Sequence, residues 1–76
     1  MGYKADENLF PERLKALRIK RGLNRSELAQ ALGMAKSSNN IQRWEEDKQS
    51  PDINYLILIC QYFRVSADYL VGLADE

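Results

Sequence analysis

Seventy-six residues, 45% of them hydrophobic and 29% charged, suffice for one folded domain and are too few for two. Without histidine and with a single cysteine, Cys60, the chain has no internal disulfide and no cysteine–histidine zinc site. It also lacks the side chain most used for proton transfer near neutral pH, so neither an enzyme nor a cofactor or metal is expected.

The longest strongly apolar run, Tyr55 to Cys60, is far too short to span a bilayer. The polar segment from Met1 to Glu7, with both charge signs, is not a signal peptide. A reducing cytoplasm is the expected setting, with no membrane partner. The zero net charge hides an asymmetry: Arg13 to Lys48 holds nine basic and four acidic residues, whereas the remainder holds two and seven. A basic centre between acidic ends either focuses positive potential on one face or scatters solvated charge.

Punctuation by glycine, proline and capping residues predicts an all-α fold of five short helices, arranged as an orthogonal bundle. The first runs from Leu9 to about Arg21, with Pro11 in its first turn, Phe10, Leu14 and Leu17 on one face, and Gly22 as its left-handed end. Asn24 and Glu27 have the spacing of a capping box for a second helix, Arg25–Leu32. That helix turns Leu28, Ala29 and Leu32 inward, closes at Gly33, and is followed by Met34 as an apolar plug. Ser37 or Ser38 is the expected N-cap of a third helix through Ile41, Gln42, Arg43, Trp44 and Glu45.

Pro51 and Asp52 introduce a fourth helix, Ile53 to about Phe63, with Ile53, Leu56, Ile57, Cys60 and Phe63 as the expected inward stripe. Cys60 then reads as a small buried hydrophobe. Tyr55, Leu58 and Tyr62 form a second apolar strip on that helix. Either a second copy of the chain covers it, making these three a dimer interface, or the C-terminal helix wraps over it with Tyr69, Leu70 and Val71. Ser66 caps this fifth helix. The expected division is a tail over residues 1–8, one domain over 9–72, and a tail over 73–76.

The run Leu17-Arg18-Ile19-Lys20-Arg21-Gly22-Leu23-Asn24-Arg25-Ser26-Glu27-Leu28-Ala29 resembles the phage-repressor and Cro-like helix-turn-helix family. The likeness continues through Ala31-Leu32-Gly33-Met34, Ile41-Gln42-Arg43-Trp44-Glu45, Lys48, Pro51, and Phe63 to Gly72. The resemblance implies a helix-turn-helix made by the second and third helices. It implies sequence-specific binding of double-stranded DNA in the major groove by a transcriptional regulator, a repressor in the first place or else an activator, working as a homodimer on a pseudo-palindromic operator. Ser38, Asn39, Gln42 and Arg43 then read bases, since amide and guanidinium groups match base edges. Asn24, Arg25, Lys36, Ser37, Asn40 and Lys48 contact phosphate. Arg18 and Glu45 form a structural ion pair.

An antitoxin or adaptor module whose main partner is a protein is the alternative. The stretch between Gly33 and Ile41 is two residues longer than the family pattern, so either the turn is longer or the third helix starts early. Glu46 and Asp47 put negative charge where phosphate is expected, and Arg64 stands where glycine is usual.

Overall fold

The computed structural model describes residues 8–34 and 38–75, which form five helices and no strand. They are α1 (Phe10–Lys20), α2 (Arg25–Ala31), α3 (Asn39–Glu45), α4 (Ile53–Phe63) and α5 (Ala67–Val71). Four of the five starts have a local cause. Pro11 opens α1. Asn24 and Glu27 make both bonds of the capping box of α2, each 2.8 Å. Asp52 and Ser66 accept from the amides of Tyr55 and Tyr69 at 2.9 and 3.0 Å to cap α4 and α5. Ser38 occupies the N-cap position of α3 but makes no capping bond through its side chain, contrary to expectation, because its backbone is already helical at φ −79° and ψ −5°. The helix starts at Asn39, and the stretch at 35–37 on which the choice between a longer turn and an earlier helix depends lies outside the described residues.

The five helices also end alike. In each, an amide one residue beyond a left-handed position donates back to the carbonyl five residues earlier. The bonds are Leu23 to Arg18 (3.1 Å), Met34 to Ala29 (2.8 Å), Lys48 to Arg43 (2.9 Å), Val65 to Cys60 (3.1 Å) and Leu73 to Asp68 (2.7 Å). Glycine fills the left-handed position in α1, α2 and α5, whereas Asp47 and Arg64 adopt φ +60° and +58°. A left-handed residue bearing a Cβ costs about 1–2 kcal/mol. Arg64→Gly is therefore expected to stabilise the domain by about 1 kcal/mol, after glycine's own chain entropy is discounted. A thermal melt would show this as a midpoint raised by roughly 4–8 °C.

Each helix contributes one completely buried aliphatic side chain to the core: Leu14, Leu28, Ile41, Ile59 and Leu70. Burial of each is worth about 1.5–3 kcal/mol. Phe10, Ala29, Leu32, Met34, Trp44 and Phe63 complete the core, with the Trp44 ring 6.5 Å from Phe10 and 5.7 Å from Tyr55.

The fourth helix is rotated from its expected setting. Ile53 and Ile57 are exposed (67% and 48%), and Ile59 takes the central buried place. Tyr55 and Tyr62, expected on an outer strip, are half-buried against the core, and only Leu58 of that strip is exposed. Cys60 is half-buried as well, and burial pushes its thiol up from the ordinary value. No helix among the described residues is long and apolar enough to cross a membrane.

The start of α1 meets the end of α5. The Leu9 amide donates to the Val71 carbonyl at 3.1 Å. Arg13 donates to the carbonyls of Tyr69 and Ala74, the latter at 2.8 Å, and its guanidinium lies 4.3 Å from the Tyr69 ring centre. A cation on the last carbonyls of a helix satisfies acceptors that the helix cannot.

Candidate nucleic-acid interface

Helix α3 has two faces with different chemistry. Ile41 and Trp44 enter the core, while Asn39, Gln42, Arg43 and Glu46 are exposed. The exposed set follows the three- and four-residue spacing of one helical face. With Lys48 these four residues line an open groove of about 290 Å³. Ser38 and Asn40 are half-exposed at its start. Lys36 and Ser37, expected to contact phosphate, lie outside the described residues.

An ion cluster beneath this face fixes its orientation. Glu45 is the last residue of α3, and its side chain is 1% exposed. Arg18 from α1 grips both carboxylate oxygens, Nε to Oε2 at 2.7 Å and Nη2 to Oε1 at 3.0 Å. Its remaining amino group donates to the Leu23 carbonyl, in the turn between α1 and α2, at 2.9 Å. The hydrogen bond to Glu45 raises the Arg18 guanidinium above its already high ordinary value, keeping the cation charged. Arg25, first in α2, adds a third bond to Glu45, Nε to Oε1 at 3.1 Å. One carboxylate thus joins α1, α2 and α3.

The Arg18–Glu45 pair lies side by side as the resemblance implied, and Arg25 is an addition that sequence reasoning missed. Only Nε of Arg25 is used in the cluster, and a guanidinium has five N–H donors. Asn24 spends its side-chain oxygen on the cap of α2, which leaves its amino group as the donor for any further partner.

On the exposed face the polar groups also engage one another. Gln42 Nε2 donates to Glu46 Oε2 at 3.1 Å, and Lys48 Nζ lies 3.3 Å from Glu46 Oε1. Those two contacts, the amide of Gln42 first, hold the Glu46 carboxyl below its usual range.

The family model described as Helix-turn-helix matches residues 14–70, and the chain belongs to that family. The family is a class of transcriptional regulators and not of enzymes. Two Bacillus subtilis (strain 168) proteins are similar in sequence. One is the uncharacterized HTH-type transcriptional regulator YobD, 32% identical over 90% of this chain and 59% of its own length. The other is the HTH-type transcriptional regulator ImmR, 36% identical over 80% of this chain and 46% of its own. The chain thus spans about half the length of these curated relatives.

Among solved structures, the P22 c2 repressor in complex with a synthetic operator superposes with a TM-score of 0.75 at 28% identity, covering 83% of this chain and 92% of that one. A transcriptional regulator from Listeria innocua gives a TM-score of 0.80 at 30% identity, covering 92% of this chain and 64% of the other.

Proposed function

We propose that the chain binds double-stranded DNA through the major groove, with α3 as the reading helix, and regulates transcription as a repressor. One observation carries the reading: Asn39, Gln42 and Arg43 share the exposed face of a helix whose other face is locked by Ile41, Trp44 and the Glu45 cluster. Base reading needs groups of that kind on a helix that cannot rock. Likeness to a repressor solved in complex with an operator supports it.

Ser38, Asn39, Gln42 and Arg43 are the proposed readers. Asn24, Arg25, Asn40 and Lys48, with Lys36 and Ser37, are the proposed phosphate contacts. Arg43→Ala is expected to weaken binding to the preferred site by about 1–3 kcal/mol and to relax preference at one base pair. Lys48→Ala should weaken all sequences alike and flatten the salt dependence by about one unit. Selection of sites from a random duplex library, followed by salt titration of each variant, tests both. If the selected sequence is unchanged by Arg43→Ala, Arg43 is not a reader.

A homodimer on a pseudo-palindromic operator completes the proposal, with half-sites about 34–36 Å apart. Its interface is best placed on the outward face of α4, where Ile53, Ile57 and Leu58 are exposed, rather than on Tyr55 and Tyr62. The same apolar face favours the second reading, an antitoxin or adaptor module with a protein as its main partner. DNA binding weakens steeply with salt, because counterions are released from phosphate, whereas docking through an apolar face does not.

A further inference from the structure

Glu46 is an anion on the face proposed to meet DNA, and its position is not incidental. It is the C-cap of α3, seven residues after Asn39 and four after Gln42, and it lines the same groove. It also engages two groups assigned to DNA: the Gln42 amide, at 3.1 Å, and the Lys48 ammonium, at 3.3 Å. A carboxylate between an amide and an ammonium occupies both as a phosphate or a base edge would.

Resting on the DNA-binding reading above, we infer that Glu46 is a specificity-determining residue that accepts a hydrogen bond from a cytosine amino group and penalises DNA lacking one at that place. On an unrelated duplex, Gln42 and Lys48 leave Glu46 for the DNA, and the carboxylate faces phosphate with nothing in return. On the preferred site the cytosine N4 amino group replaces the donor that Glu46 gives up. The major-groove edge of cytosine is the one that offers an amino donor beside no strong acceptor, and Glu is among the side chains suited to it. Discrimination then comes from a repulsion relieved at one sequence, alongside the attractive contacts of Arg43. The carboxyl stays ionised under ordinary conditions because both partners favour its charged form.

Glu46→Gln separates these roles, since it keeps the shape and removes the charge. Wild type and variant are each put through site selection, then titrated with the selected wild-type duplex and an unrelated duplex of equal length across a range of salt. The variant should bind the unrelated duplex about fivefold tighter at low salt, the worth of one exposed charge near phosphate. It should gain nothing on the wild-type site, and at one selected position cytosine should give way to adenine, whose edge suits an amide that both donates and accepts. Equal tightening on both duplexes with an unchanged selected sequence would overturn the inference and leave DNA binding intact. Salt-dependent binding to neither duplex by the wild type would overturn both. Matching thermal melts of the two proteins exclude a folding effect; Glu46 is exposed at the end of α3, so none is expected.

Discussion

Replacing Glu45 with alanine is expected to lower the unfolding free energy by about 3–5 kcal/mol. The carboxylate is almost wholly buried and holds three charge-assisted hydrogen bonds, two from Arg18 and one from Arg25. Its removal leaves the Arg18 guanidinium, 11% exposed, without its counter-charge. A domain of this size has about 4–11 kcal/mol in total. The variant should therefore be largely unfolded in mild urea, where the wild type is intact. Arg25 is one-third exposed and can turn to water, so Arg25→Ala should cost no more than about 1 kcal/mol. Replacing Arg18 and Glu45 together with leucine should restore most of the loss, because no buried charge then remains. Equilibrium urea melts of the three variants check the ordering. A loss below about 1 kcal/mol for Glu45→Ala would mean that water reaches the cluster in solution.

Gly72→Ala is expected to cost about 2–4 kcal/mol, from two separable sources. The residue has φ +98°, a conformation that L side chains rarely adopt. A Cβ there would also lie 2.8 Å from Leu9 Cγ and 3.0 Å from Leu9 Cβ. The first source belongs to the backbone and persists in any context. The second belongs to the contact between the end of α5 and the residue ahead of α1. A double variant, Gly72→Ala with Leu9→Ala, should therefore recover part of the loss relative to the sum of the single variants. Full additivity in thermal or urea melts would show that the clash is relieved by movement of the Leu9 side chain alone.

What the sequence made legible divides along physical lines. Caps and turns depend on residues three to five positions apart, and so Asn24 with Glu27, Asp52, Ser66 and the left-handed Gly22 and Gly33 are readable in place. The face of α4 was not readable. Ile53, Tyr55, Leu56, Ile57, Leu58, Ile59, Cys60, Tyr62 and Phe63 are nearly all apolar, so several stripes have helical spacing. The choice of Ile59 over Ile53 is made by neighbours far along the chain, including the Trp44 ring that takes in Tyr55.

The Arg18–Glu45 pair came from resemblance, because 27 residues separate the partners and composition carries no trace of the link. The bond from Arg25 to Glu45 is hidden for the same reason, as it spans 20 residues. The clamp of Arg13 on α5 had no signal at all. Its hydrogen-bond acceptors are backbone carbonyls, which every residue possesses. The exposed face of α3 was the most legible part of the candidate site, since Ile41 and Trp44 settle which side is left over.

The meeting of Leu9 with Val71 has a consequence for how the chain could be rewired. Leu9 and Val71, held within hydrogen-bonding distance, could be bridged by a short flexible segment, and closing so short a loop costs little entropy. New ends opened in the stretch between α3 and α4, where Gln49 and Ser50 are exposed, would interrupt no helix. Such a circular permutant would present α3 on the same core, with every helix cap intact and the order of the helices changed.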